Sequence, residues 1–200
     1  MLYTRKGDTG TTKTFGCDQR ISKSSNITEA LGSLDEINSF LGLLKIKAGN
    51  VSFVLPKNTL SPAVAIDDIQ QNLFIIQAEL AGAKKTITQE KVKELEEIID
   101  GIENTLPPIK TFFVSGGVEL AIISDIARTI ARRAERRVIG VVDDPSTDST
   151  SSPQAGSGQE KIKIGKETLA YLNRLSSVLY AFARMFNHIV NIKEETPKYK

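Results

Sequence analysis

Apolar residues recur at intervals of three and four along most of this chain, the spacing that aligns side chains on one face of a helix. Between Ile27 and about Ala48 the series Ala30, Leu31, Leu34, Ile37, Phe40, Leu41, Leu44 predicts a first helix. Pro56 and Pro62 bound a loop, and Ile66, Ile69, Leu73, Ile76 and Leu80 predict a second helix over Val64 to Ala83. A third is expected from Gln89 to Asn104, with Thr88 as its N-cap and Pro107-Pro108 as its stop. Thr111 to Val114 reads as a short extended piece ending in Ser115-Gly116-Gly117. The apolar stripe Leu120, Ala121, Ile122, Ile123, Ile126, Ala127, Ile130, Ala131, Ala134 then predicts a fourth helix. Leu169, Leu172, Leu175, Leu179, Phe182, Phe186 and Ile189 place the last helix over Ile162 to Ile192. Five helices without a convincing sheet imply an all-α bundle.

Two stretches lack any period. Residues 1–25, dense in Gly, Thr, Lys and Asp, read as an N-terminal arm. Residues 143–160 form a polar, low-complexity run that cannot bury apolar surface and is expected to be a flexible insertion. Two hundred residues, 40% of them hydrophobic and 25% charged, suit one globular domain spanning 1–200. A net charge of +2 is too small for a protein that coats nucleic acid, so any anion site must arise from local clustering. One Cys17 and one His188 exclude a disulfide framework and a Cys/His zinc site, and no metal ligand set is expected. Met1 to Lys6 has no apolar signal segment and no run is long enough to span a membrane, which leads to the expectation of a cytoplasmic protein.

Local clustering is what the fourth helix provides. Arg128, Arg132, Arg133, Arg136 and Arg137 fall within ten residues, around a single Glu135. Arg128, Arg132 and Arg136 stack at i, i+4, i+8, with Arg133 and Arg137 in the adjoining row. Guanidinium groups beside an apolar stripe demand carboxylate or phosphate partners, which they grip bidentately. The same arginines are open to other uses: phosphodiesters in a helical nucleic-acid-binding or regulatory bundle, or acids at contacts between subunits.

The arm Tyr3-Thr4-Arg5-Lys6-Gly7-Asp8-Thr9-Gly10-Thr11-Thr12-Lys13 combines glycines, hydroxyls and cations, a composition able to wrap a polyphosphate or simply to remain an unstructured terminus. It is not a P-loop, because the required Gly-x-x-x-x-Gly-Lys-Ser/Thr spacing is absent. Asp35 and Glu36 are either partners for an arginine, most simply Arg128, or an exposed pair of acids. Asn173 interrupts an apolar helix face and reads first as a hydrogen-bonded core amide, with a ligand contact as the other option. Phe112 and Phe113 either plug the core or wall a flat cofactor.

Four segments together resemble one family, the PduO-type ATP:cob(I)alamin adenosyltransferases. They are the arm Tyr3 to Thr12, the run Ala30 to Ser39 containing Gly-Ser-Leu-Asp-Glu-Ile-Asn, the Ala-Arg-Thr-Ile-Ala-Arg-Arg-Ala-Glu-Arg of Ala127 to Arg136, and Tyr171-Leu-Asn-Arg-Leu-Ser176. They occur in the family's order across nearly the whole chain. Lys6 departs from the usual Thr, and Ser115 from the Pro often found before Gly-Gly.

The resemblance implies a ferritin-like five-helix bundle forming a homotrimer, with ATP and cobalamin bound between subunits. It implies attack of cob(I)alamin on C5′ of ATP, with release of triphosphate and Mg²⁺ bridging phosphate oxygens. Thr4, Arg5, Lys6, Gly7, Thr12, Lys13 and Lys23 would contact ATP, joined by Arg132, Arg133, Ala134, Glu135, Arg136 and Asn173. Asp35 with Arg128 would be the ion pair of the subunit interface. Phe112 would face the lower side of the corrin and exclude a lower axial ligand, and Tyr180 would line the same pocket. A separate reductase would supply cobalt(I), and no nucleic acid or membrane partner is implied.

Overall fold

A computed structural model describes residues 3–14, 20–143 and 163–199. Cys17 and nearly all of the expected insertion lie outside these residues. Five helices are found among them: α1 (Asn26–Ala48), α2 (Pro62–Leu80), α3 (Gln89–Glu103), α4 (Glu119–Val142) and α5 (Lys166–His188). Two small antiparallel hairpins accompany them: β1 (Thr11–Thr12) with β2 (Ile21–Ser22), and β3 (Phe53–Val54) with β4 (Thr59–Leu60). The expected extended piece at 111–114 is not a strand but part of an irregular connector between α3 and α4.

Local chemistry sets the boundaries. At α2 the Ser61 hydroxyl accepts from the Val64 N–H at 3.4 Å, and Pro62 occupies the first turn, where its missing N–H costs nothing. The helix ends before Ala83 because Gly82, at φ +94°, turns the chain left-handed and Ala83 N–H bonds back to Ala78 O. Asn191 does the same for α5 at φ +58°, with Ile192 N–H returning to Asn187 O. The apolar period continues through Ile189, so periodicity alone overshoots this end. At the other end α5 starts at Lys166 rather than Ile162, because the buried Glu79 carboxylate accepts the Gly165 N–H at 2.8 Å together with the Thr168 and Thr86 hydroxyls.

Packing centres on α4, which lies between α1 and α5, while α2 packs on α1 and α3 on α5. Ala121, Ala127, Ala131 and Ala134 lie on the buried face of α4 with Ile123, Ile130, Val138 and Val141, and the small side chains let its neighbours approach closely. Leu34, Ile37, Leu41 and Leu44 from α1, with Leu172, Leu175, Leu179 and Phe182 from α5, fill the space around it. Phe53 of the second hairpin closes the bundle, edge-on to Phe182 at 5.8 Å and Phe186 at 5.0 Å. No helix among the described residues is long and apolar enough to cross a membrane.

Candidate functional site

With its alanine face buried, α4 turns its arginines outward on three lines. Toward α1, Arg133 donates to Glu36 and Arg137 lies 3.8 Å from Glu29. Both acids stand one above the other on α1, and Lys47–Glu119 at 2.8 Å completes an ion-paired antiparallel seam. Toward α5, Glu135 accepts from the Asn173 amide at 3.0 Å, and two turns earlier Arg128 lies over the Tyr180 ring at 5.9 Å. Stepping up α4 from Arg128 to Glu135 thus steps down α5 from Tyr180 to Asn173.

Between these seams stand Arg132 and Arg136, both exposed. Among the described residues neither has an acidic partner. They are like charges at i, i+4, an arrangement that disfavours the helix unless an anion lies across them. The row expected from spacing therefore divides into arginines engaged within the chain and two that are free.

Several expectations change in detail. Arg128 is satisfied by Asp125 on its own helix, Nε to Oδ1 at 2.9 Å, and not by Asp35 of the same chain. Asp35 is exposed on α1. Asn173 is not a core amide: it faces solvent, donating to Glu135 and accepting from Arg174 at 3.1 Å. Glu135 turns to that amide rather than to Arg132. The Ala134 side chain is fully buried and offers nothing to a ligand. His188 is exposed.

The described residues of the arm, 3–14 and 20–25, are folded rather than loose. β1 pairs with β2, and beside this pairing Arg20 donates to the Thr11 hydroxyl at 2.8 Å, to Thr11 O at 2.7 Å and to Lys6 O. Arg5 sits at φ +58°, a left-handed conformation uncommon outside glycine, and its guanidinium lies 5.4 Å from the Tyr3 ring centre. Lys23 Nζ stands against Gly7, where an added Cβ would approach it to 3.1 Å. Thr4, Arg5, Lys6, Lys13 and Lys23 are all exposed, with Gly7 and Thr12 partly so. The loop thus gathers cations and hydroxyls on one small scaffold.

At the other end of α4 the connector presents Phe112, which is 80% exposed and so does not plug the core. Beside it a cavity of about 290 Å³ opens between the connector, Arg128, Tyr180 and the C-terminal segment. Burial holds the Tyr180 hydroxyl above its ordinary pKa range, an effect that Arg184 and Arg128 moderate. Gly117, at φ +103°, passes under Asn187, whose amide donates to Gly116 O at 2.9 Å and accepts from Val118 N–H at 3.0 Å.

Sequence reasoning passed over Arg20, Asp125 and Asn187, the side chains that hold the arm, Arg128 and the start of α4. Only Asp125 carried a local signal, its i, i+3 spacing from Arg128. The other two act across long sequence separations. Among the described residues no three His, Cys, Asp or Glu side chains are grouped to hold a metal.

The family described as Cobalamin adenosyltransferase matches residues 2–186. The chain is 36% identical, over 94% of its length, to the corrinoid adenosyltransferase PduO of Citrobacter freundii, and 34% identical over 98% to that of Salmonella typhimurium. It spans about half the length of these two relatives, 50% and 54%. It is 34% identical to the corrinoid adenosyltransferase of Bacillus subtilis, of which the match covers 86%. Among solved structures, a variant PduO-type ATP:corrinoid adenosyltransferase from Lactobacillus reuteri, complexed with cobalamin and ATP, superposes with a TM-score of 0.80 at 27% identity. That match covers 99% of this chain and 97% of the other.

Proposed function

This chain belongs to the cobalamin adenosyltransferase family, and from that premise we propose that it transfers the 5′-deoxyadenosyl group of ATP to cob(I)alamin. The cobalt(I) electron pair forms the Co–C5′ bond while the C5′–O bond breaks, and the triphosphate leaves with the bonding pair. Such a nucleophile needs no general base, which suits a chain with one histidine and one cysteine. The protein's tasks are to hold C5′ in line, to neutralise the departing triphosphate and to exclude water around the corrin.

The observation that carries this reading is the pair Arg132 and Arg136, two exposed arginines at i, i+4 with no acidic partner among the described residues. A triphosphate would lay anionic charge across both and remove their mutual repulsion. Thr4, Arg5, Lys6, Gly7, Thr12, Lys13 and Lys23 of the arm would grip the same phosphates from the opposite side. Asn173, fixed by Glu135, would contact the nucleotide at the α5 edge, and Arg133 has a lesser part because Glu36 already engages it. Mg²⁺ would arrive with the nucleotide and add positive charge to its phosphates, since among the described residues no three carboxylate, His or Cys side chains are grouped to hold it. Phe112 would form the apolar floor of the corrin site, with Tyr180 in its wall.

We place the sites between the subunits of a homotrimer. Asp35, exposed and without a partner among the described residues, would meet Arg128 of a neighbour there, at the Nη groups that the Asp125 contact to Nε leaves over. A nucleic-acid role has little basis, since Arg128, Arg133 and Arg137 are already engaged by Asp125, Glu36 and Glu29. Arg132→Ala and Arg136→Ala test the assignment: each is expected to lower kcat/KM for ATP by about 10²–10³-fold with an unchanged far-ultraviolet circular dichroism spectrum. Wild-type turnover in both variants would sink it.

A further inference from the structure

Arg184, on the penultimate turn of α5, is only 5% exposed, and a buried guanidinium must find partners for its donors. It finds them on two other segments of the chain. Its Nε and Nη2 donate to the two carboxylate oxygens of Glu194 at 2.8 and 3.0 Å, and Nη2 also donates to Pro107 O at 3.0 Å. Its Cζ lies 5.4 Å from the centre of the Phe113 ring. Glu194 is in reach because the left-handed turn at Asn191 sends the chain back along α5. The next residue then ties the same two segments by main chain, Val114 N–H donating to Glu195 O at 2.8 Å.

The connector that begins at Pro107 is therefore held at Pro107, at Phe113 and Val114, and at Gly116 to Val118 by Asn187. Residues 108–112 are exposed between the first two of these points, and Phe112, at 80% the most exposed of their large apolar side chains, adjoins the Phe113 anchor directly. We propose that Arg184 is a positioning residue for the reaction: through Pro107, Phe113 and Glu194 it fixes where the connector presents Phe112 to the corrin. Lysine cannot replace it, because a point charge lacks the planar fork that meets Glu194, the Pro107 carbonyl and an aromatic face at once. This role rests on the reading of Phe112 as the corrin floor, so its test needs one measurement that is independent of turnover.

The full chain and its Glu194→Gln and Arg184→Lys variants are compared by amide hydrogen exchange over residues 107–118 and by steady-state kinetics. Glu194→Gln lies outside the bundle core, so a folding defect in Arg184→Lys does not remove the test. Exchange at Val114 is expected to rise about tenfold in both variants, and KM for the corrinoid to rise about tenfold while KM for ATP stays within about twofold. Unchanged exchange in both variants overturns the proposal, as does a rise in both KM values together, which would signify general loosening. A wild-type chain that exchanges slowly at Val114 but makes no adenosylated product overturns the functional reading, and this role with it, while leaving the clasp as structure.

Discussion

Replacing Gly117 by alanine should destabilise the protein by an amount that follows from two separate features. An alanine at φ +103° lies in a region that L-residues avoid, at a cost of about 1–2 kcal/mol. Its Cβ would also stand 2.0 Å from Asn187 Oδ1 and 2.6 Å from Cγ, so the buried amide has to move. Moving it breaks the bonds to Gly116 O and Val118 N–H, each worth about 1 kcal/mol. The sum is about 3–4 kcal/mol, which for a chain of this size lowers Tm by about 6–16 °C. Thermal unfolding followed by circular dichroism measures it. Asn187→Ala alone removes the bonds without strain, and adding it to Gly117→Ala relieves the clash. The two losses should therefore be less than additive, the double variant retaining only the backbone strain and one set of lost bonds. A Gly117→Ala protein melting within about 2 °C of wild type, or strictly additive losses, would refute the steric argument.

Glu79→Ala should lower stability by about 3 kcal/mol in urea unfolding, since it leaves the Gly165 N–H and the Thr168 hydroxyl without their acceptor at the buried start of α5. Tyr171 provides a pH prediction. Burial raises its hydroxyl well above the ordinary 10.0, outweighing the bond donated by Asn72. A folded pKa above the unfolded one means that the stabilisation is complete below about pH 10 and is lost as pH climbs toward the folded value. The urea midpoint should therefore fall between pH 9.5 and 11 in wild type and fall less in Tyr171→Phe; equal slopes would contradict this.

The helices were legible because their signal is local. Spacings of three and four within each segment located all five, and the Ala127 to Arg136 run marked the face that carries the free charge. What the pattern missed depends on contacts between distant segments. Periodicity ran on past His188 because Ile189 keeps the apolar phase, whereas Asn191 in a left-handed turn ends the helix. Asn173 sits among apolar neighbours in sequence yet faces outward, because α4 supplies Glu135 at that level instead of a hydrophobic wall. The five arginines look equivalent in the sequence. In the fold α1 brings Glu29 and Glu36 alongside Arg137 and Arg133, which leaves Arg132 and Arg136 without an acid among the described residues.

Arg132 and Arg136 are proposed to face the triphosphate of an ATP whose C5′ is attacked by cobalt. An anaerobic reaction of the full chain with chemically reduced cobalamin and Mg-ATP tests it most directly, with the cobalt–carbon product followed by its visible spectrum and the released phosphate species separated by ion exchange. One adenosylcobalamin is expected for each intact triphosphate released, with loss of both products together in Arg132→Ala. ATP hydrolysis to diphosphate or monophosphate without a cobalt–carbon bond, or full product formation by Arg132→Ala, would contradict it.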